Sequence, residues 1–305
     1  MRRLRHRAPV LALLLVTAVW GWTFVVVRDA VHDYPVLPFL ALRFAVASLC
    51  LTPAVLRSRQ GAAAGMVPGV ALAAGYLAQT AGLQYTTASK AGLLTGLFVV
   101  LTPVLGVIVW RRAPGRPTLV AVVGALAGTA LLVLPGAAGH GGQETAGDAL
   151  EVLTAFSFSI HILLLSWLAP RSNAARLAWA QMVVAAGLFS LATLTAGQFR
   201  PPGPSVWLAL VITGVLASAL AFWAQTAAQQ RISASRTAVI LAAEPAFAAF
   251  FGVVLAGDRY GLVQALGAGL ILVAIGYHEW ASVPPPAPGS ADSEPIPRVA
   301  GTGQA

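Results

Sequence analysis

The sequence predicts an all-α integral membrane protein with ten transmembrane helices, arranged as two inverted repeats of five helices. Of the 305 residues, 58% are hydrophobic and only 10% are charged, and the mean hydropathy is +0.79. A soluble domain carries roughly 25% charged residues, so a water-soluble fold would leave too much apolar surface in contact with water. Two further observations support this prediction: ten apolar segments are long enough to cross a membrane, and the two halves of the chain form an internal repeat.

Each predicted helix is an apolar segment of about 20 residues, the length that crosses a hydrocarbon layer roughly 30 Å thick. In chain order the segments are 9–27, 38–56, 66–84, 88–110, 117–135, 147–168, 174–196, 204–229, 233–256 and 260–279. Short connections with turn residues, such as RRAPGRP and RPPGP, separate many of them. The sequence therefore predicts a bundle of long helices joined by short loops.

The distribution of basic residues predicts that both termini lie in the cytoplasm. Connections on one side of the predicted bundle carry 14 of the 19 basic residues, those on the other side carry 4, and Arg43 lies inside a helix. Basic residues are retained on the cytoplasmic side, so 1–8 is predicted to be a basic cytoplasmic N-terminus and 136–146 an extracytoplasmic loop. The segment 280–305 is rich in Pro, Gly and Ser, which predicts a disordered cytoplasmic tail.

Several function classes lack support in the sequence. The net charge of +9 comes from basic clusters between apolar segments, so we expect no nucleic-acid partner. G-x-S-x-G, H-E-x-x-H and Walker motifs are absent, which argues against an enzyme and against ATP-driven pumping. His140, Glu144 and Asp148 lack a compact metal-ligand spacing, so neither a metal nor another cofactor is expected. The excess of Arg over Lys, with Lys90 the single lysine, and the abundance of Ala and Gly indicate a GC-rich bacterial genome, so we expect the protein in a bacterial cell membrane.

An internal repeat is visible when the chain is compared with itself. QTAGLQYTTASKA, residues 79–91, aligns with QTAAQQRISASRT, residues 225–237, with six of 13 positions identical at an offset of 146. Chance similarity between Ala-rich helices is the alternative, but the identical positions include polar residues that lipid-facing helices have no reason to share. The offset predicts repeats over 9–135 and 147–279. Because five helices is an odd number, the second repeat is predicted to be inverted, as in many secondary transporters.

Short motifs identify the type of membrane protein that the chain resembles. They are Arg43-Phe44 in the second predicted helix, TTASKAG before the fourth, SASR before the ninth, Glu244-Pro245 within the ninth and Gly257-Asp258 after it. Their order resembles that of the drug/metabolite transporter superfamily, EamA type, whose members carry two five-helix repeats and usually have Gly-Glu at the last motif. The resemblance covers roughly 9–279. It implies export or exchange of amino acids, metabolites or drugs through a central cavity.

Glu244 and Arg43 are the charged residues that this prediction places inside the membrane. An ionised carboxylate near the bilayer centre is costly, so Glu244 is a candidate for binding substrate or a coupling proton, whereas its repeat equivalent is Phe98. Alternatively, Glu244 caps backbone groups that Pro245 leaves free, or hydrogen-bonds between helices. Arg43 is expected to bind an anionic substrate group or Glu244, or else to extend towards the outer headgroups.

Neutral polar and aromatic residues complete the candidate site. Gln79 and Gln225 are repeat equivalents that can either bind substrate or hold helices together. The other candidates are Trp20, Tyr76 and Trp223 as cavity-lining aromatic residues and His161 as a group that titrates near neutrality, with packing as the alternative for each.

Pro103 and Pro245 are predicted to break the fourth and ninth helices, because proline removes a backbone N–H from the helical ladder. Breaks in equivalent helices of the two repeats point to a transport site. We therefore expect these helices to meet beside the cavity, with Gly106 and Gly252 allowing close approach. The competing interpretation of the whole chain is a non-transporting scaffold or receptor that binds a lipid headgroup.

Overall fold

The computed structural model describes residues 2–56, 63–85, 88–111, 113–133, 142–256 and 261–282, and within these ranges every regular element is helical. The α-helices are α1 (Arg2–Asp33), α2 (Val36–Leu56), α3 (Met66–Gly82), α4 (Ala88–Thr95), α5 (Phe98–Trp110), α6 (Arg116–Val133), α7 (Gly142–Leu168), α8 (Ala174–Thr195), α9 (Pro204–Val211), α10 (Ala221–Gln229), α11 (Ala234–Leu241), α12 (Glu244–Ala256) and α13 (Leu262–Ala281). A π-helical segment, Ile212–Leu220, joins α9 to α10. The predicted N-terminal segment 1–8 runs into α1, whereas most of 136–146, Gly257-Asp258 and most of the tail lie outside the described residues.

Seven helical segments in the described part of the chain are long and apolar enough to cross a membrane. They are Ala8–Asp33, Val36–Leu56, Thr145–Arg171, Ala174–Thr195, Pro204–Gln229, Ala234–Leu255 and Leu262–Ala281. The other expected spans are helical but shorter: α3 has 17 residues, α4 and α5 are separated by an interruption, and the apolar part of α6 is Arg116–Leu132. The prediction of an all-helical membrane protein is therefore confirmed.

Helices α2 and α8 pack against each other in opposite directions. Near one end, the Trp179 indole Nε1 donates a hydrogen bond of 3.2 Å to the Thr52 hydroxyl. Further along, the rings of Phe44 and Phe189 stack with their centroids 5.7 Å apart. Residue numbers fall along α2 as they rise along α8, so the two helices are antiparallel.

Helices α6 and α13 are in close backbone contact at two glycines. A Cβ placed on Gly128 would lie 2.6 Å from the Gly267 carbonyl oxygen, and one on Gly267 would lie 2.5 Å from the Gly128 carbonyl oxygen. Only glycine fits at both positions, because real Cβ contacts are longer than these. The expectation that Gly106 brings the fourth and ninth helices together was wrong, since a Cβ on Gly106 would instead meet Trp110 and Leu163.

The fourth and ninth predicted helices are each divided at equivalent repeat positions. The helix ends at Thr95 and resumes at Phe98 in the first repeat, and it ends at Leu241 and resumes at Glu244 in the second, an offset of 146 at both boundaries. In each interruption the backbone makes a tight turn: the Leu97 N–H donates to the Leu94 carbonyl at 3.2 Å, and the Ala243 N–H donates to the Ile240 carbonyl at 3.1 Å. The four half-helices are in contact, α4 with α12 and α5 with α11.

Only one of the two prolines marks an interruption. Pro245 is the second residue of α12 and directly follows the turn, where its missing N–H costs little. Pro103 lies inside α5, six residues beyond Leu97, and the helix continues through it. The predicted break at Pro103 was therefore misplaced. Gly96, with its low helix propensity, occupies the turn instead.

Candidate functional site

A cavity lies between two clusters of buried apolar side chains, one that includes Phe98 and Leu241 and one that includes Tyr76 and Phe222. About 650 Å³ of space in and around this cavity, open solvent included, is not filled by protein atoms. Side chains from both repeats line it: Trp20, Thr23, Phe24, Val27, Arg43, Tyr76, Gln79, Thr80, Leu83, Phe98, Phe158, His161, Ile162, Phe222, Gln225, Leu241 and Glu244. Seven of the eight substrate-binding or coupling candidates from the sequence are in this set. The structure therefore brings together residues that are up to 224 positions apart in the chain.

Arg43 points into the protein and does not extend towards the headgroup region. Arg43 is only 3% exposed. Its Nε donates a hydrogen bond of 2.9 Å to the Ser218 hydroxyl, and its Nη2 donates one of 3.3 Å to the Tyr76 hydroxyl. The guanidinium carbon lies 4.6 Å from the centroid of the Tyr76 ring, a distance at which a cation is attracted to an aromatic face. These contacts fix the cation in place at the edge of the cavity.

Glu244 begins α12 directly after the turn in the ninth predicted helix. Its side chain lines the cavity and makes no hydrogen bond or ion pair with any residue that the structure describes. The expected pairing with Arg43 is therefore not formed, and no capping contact to the backbone around Pro245 is seen among these residues. The carboxyl group lies at a helix N-terminus, where partial positive charge favours an anion.

The two repeat-equivalent glutamines have different surroundings. The Gln225 amide donates to Gln229 Oε1 at 3.1 Å, and Gln229 Nε2 in turn donates to the Ile162 carbonyl and to the Ser166 hydroxyl, both at 2.8 Å. Gln225 Oε1 is buried, and no described residue hydrogen-bonds to it. The Gln79 side chain reaches the cavity without a partner in the described part of the chain. Gln229 therefore joins α10 to α7, and Gln225, which is hydrogen-bonded to Gln229 within α10, presents an acceptor that no described residue uses.

The aromatic residues and His161 are held by packing as well as lining the cavity. Trp20 Nε1 donates to the Ala217 carbonyl at 2.8 Å, and its ring lies 5.3 Å from that of Phe222. His161 Nε2 lies 2.6 Å from Gln181 Oε1. Gln181 Nε2 donates to the Leu177 carbonyl, so the amide oxygen accepts and the histidine carries its proton on Nε2.

Trp223 does not belong to the site. It is 44% exposed and is absent from the cavity lining, whereas the preceding residue, Phe222, is buried and lines the cavity together with Gln225. One helical position corresponds to a rotation of about 100°, so Phe222 and Trp223 face different neighbours. The repeat offset identifies Phe222 correctly, because it is the equivalent of Tyr76.

Glu151 is a buried acidic residue that the sequence prediction did not single out. It lies on α7, is 0% exposed, and accepts a hydrogen bond of 2.8 Å from the Thr95 hydroxyl. A smaller cavity, lined by Phe24, Gly92, Thr95, Gly96, Phe98, Glu244 and Pro245, lies between this pair and the main cavity. The sequence signal for this residue was its position, since Glu151 is an acidic residue within the predicted helix 147–168.

Comparisons with known proteins agree with this architecture. The model of the EamA-like transporter family matches the chain twice, over residues 7–134 and 145–277. An "Uncharacterized transporter" of Archaeoglobus fulgidus is 32% identical over 268 residues, which cover 87% of this chain and 83% of that protein. A solved crystal structure with 19% sequence identity matches the fold with a TM-score of 0.75, covering 89% of this chain and 98% of the other. With both halves matched, the chain belongs to the EamA-like transporter family.

Proposed function

We propose that this protein is a secondary transporter that exports or exchanges small organic metabolites, amino acids or drugs. The observation that carries the proposal is the main cavity, in which a buried cation, Arg43, and an acid without a partner among the described residues, Glu244, face the same space without forming an ion pair. Buried charges are normally paired with each other. Two separate charges of opposite sign in one cavity suit a ligand that brings its own complementary charges.

The lining of the cavity indicates the form of that ligand. Arg43 suits a carboxylate, because its planar guanidinium can donate more than one hydrogen bond to it. Glu244 suits an ammonium group or a proton, and Gln79 and Gln225 supply neutral hydrogen-bonding groups. Aromatic side chains such as Trp20 and Phe222 cover the remaining wall and suit an apolar body. An amino acid or a similar zwitterion has this combination of groups.

We further infer that the transport machinery consists of ten transmembrane helices, which form two inverted repeats of five helices. Support comes from the equivalent interruptions in the fourth and ninth helices, from the antiparallel packing of α2 on α8, and from cavity-lining pairs separated by 146 residues. These pairs are Tyr76 with Phe222, Gln79 with Gln225 and Phe98 with Glu244. In such an arrangement one repeat moves against the other and exposes the cavity alternately to the two sides.

The test is flux through the purified protein in proteoliposomes. Vesicles loaded with an equimolar mixture of the twenty isotope-labelled amino acids, and separate vesicles loaded with ethidium as a drug-like cation, are diluted into buffer with and without a pH gradient. Release of at least one probe well above that from protein-free vesicles is the expected result. Binding of probe or lipid headgroup without any release would favour the competing function, a receptor or scaffold, and would contradict transport.

We expect both termini on the cytoplasmic side of a bacterial cell membrane, because basic residues favour that side by 14 to 4. A fluorescent reporter that folds only in the cytoplasm should be active when fused after Trp280. The matched control is the same reporter inserted in the predicted outer loop, 136–146, where it should be inactive while a periplasmic phosphatase is active. The opposite pattern would overturn this topology.

A further inference from the structure

Glu151 occupies a site that is built for a buried carboxyl group. The residue is 0% exposed, and one of its oxygens, Oε2, accepts the 2.8 Å hydrogen bond from Thr95. The other oxygen, Oε1, is buried and has no hydrogen-bond partner among the residues that the structure describes. It lies against α3 at Gly82, where an added Cβ would come within 2.7 Å of it. Glycine at position 82 therefore leaves the room that the carboxyl group occupies.

The surroundings of Glu151 suit its neutral form. An ionised carboxylate with a single hydrogen bond is costly to bury. The described groups that act on it electrostatically are both acidic: Asp148, half-buried one turn earlier on the same face of α7, and Glu244 on α12. Lys90 is on α4, five residues before Thr95, and its side chain lies outside the described residues. Protonation neutralises the Glu151 carboxylate, so that the neutral group needs no cationic partner.

Thr95 connects Glu151 to the main site. Its hydroxyl holds Glu151, and the same residue lines the smaller cavity together with Glu244. Thr95 is also the last residue of α4, immediately before one interruption, whereas Glu244 directly follows the other. Movement of the half-helices at these turns would change the separation of the two acids. In the second repeat the equivalent of Thr95 is Leu241, so this polar connection exists in one repeat only.

We propose that Glu151 is a second proton-binding group of the transport cycle, which passes its proton past Thr95 to Glu244 and is recharged from the end of α7 where Asp148 lies. One proton leaves the Glu151 carboxyl group and joins the Glu244 carboxylate. Glu151 then carries the negative charge, stabilised by the Thr95 hydrogen bond, until it takes up another proton. The inference rests on the proposed function, in which Glu244 is the acid that binds a coupling proton.

Proton binding itself is tested without any substrate. Infrared spectra of the purified protein, recorded over a range of pH, contain a carbonyl-stretching band for each protonated carboxyl group. Glu151→Gln should remove one such band, and Thr95→Val, which deletes a hydroxyl at nearly constant volume, should keep the band but shift its frequency. Asp29→Asn is the control, because the Asp29 side chain is 66% exposed and its carboxylate is therefore in contact with solvent. An unchanged set of bands in Glu151→Gln would overturn the proposal.

Coupling is tested with the labelled amino-acid mixture and ethidium in proteoliposomes. Glu151→Gln should lower release driven by a pH gradient by about tenfold, less than the roughly 10²–10⁴-fold that a proton-transferring group contributes to a chemical step, while exchange of probe at equal pH stays near wild type. Thr95→Val should show the same pattern with a smaller loss. Full gradient-driven release in Glu151→Gln, or an equal loss of both activities in both variants, would refute the relay. If the wild type releases no probe, the proposed function fails, and the infrared bands alone then decide whether Glu151 binds a proton.

Discussion

Glu244→Gln is expected to abolish the response of transport to a pH gradient. Glutamine keeps the shape and hydrogen-bonding capacity of the side chain but can neither release nor take up a proton at physiological pH. Glu244 makes no contact with a described residue that would fix its charge, and it lies at the turn between α11 and α12 beside the cavity. Loss of one essential proton-binding group should reduce gradient-driven flux by at least about tenfold.

The measurement compares proteoliposomes containing wild type, Glu244→Gln and Asp29→Asn at matched protein content, with flux of the labelled amino acids recorded over a series of imposed pH gradients. Asp29→Asn removes an exposed carboxylate and should leave the pH response unchanged. Helix content and elution volume establish that the variants are folded. A folded Glu244→Gln protein with the flux and pH response of wild type would make Glu244 a structural residue and the protein a facilitator lined by neutral polar groups.

The sequence predicts the composition of the site better than its internal contacts. The apolar segments and the 146-residue offset can be read directly from the chain. They therefore predict the helices and the equivalence of Gln79 and Gln225 in the two repeats. Which atoms touch depends on helix rotation and tilt, which composition does not encode. Arg43 was expected to pair with Glu244 or to reach the headgroups. In the structure it is held by Ser218, a residue 175 positions away that has no distinguishing sequence context.

Errors in the prediction have related physical causes. Trp223 was expected to line the cavity, but a helix turns about 100° between neighbouring residues, and it is Phe222 that faces the cavity. Pro103 was predicted as a break because proline removes a backbone N–H from the helical ladder, but the interruption lies at Gly96 and Leu97, closer to Val99, the repeat equivalent of Pro245. Repeat equivalence was therefore a stronger guide than residue type.

Arg43→Lys is expected to impair transport of carboxylate-bearing probes while leaving the protein folded. The guanidinium of Arg43 donates in different directions to Ser218 and Tyr76 and still faces the cavity. Lysine keeps the charge but carries a single ammonium group, which cannot reproduce this fixed, planar arrangement. Hydrogen bonds to charged groups contribute about 1.5–3 kcal/mol, so the loss should be about tenfold to a hundredfold in apparent affinity for amino acids.

Amino-acid amides distinguish loss of carboxylate recognition from general damage to the cavity, because they keep the ammonium group and the side chain but lack the carboxylate. If Arg43 binds the carboxylate, wild type should prefer each acid over its amide, and Arg43→Lys should lose this preference. Tyr76→Phe is the matched control: it removes the 3.3 Å hydrogen bond but keeps the ring beneath the cation. It should retain most of the preference, because the bond from Arg43 to Ser218 still orients the guanidinium. Equal discrimination by wild type and a folded Arg43→Lys protein would assign Arg43 a purely structural role in joining α2 to α3 and to the π-helical segment.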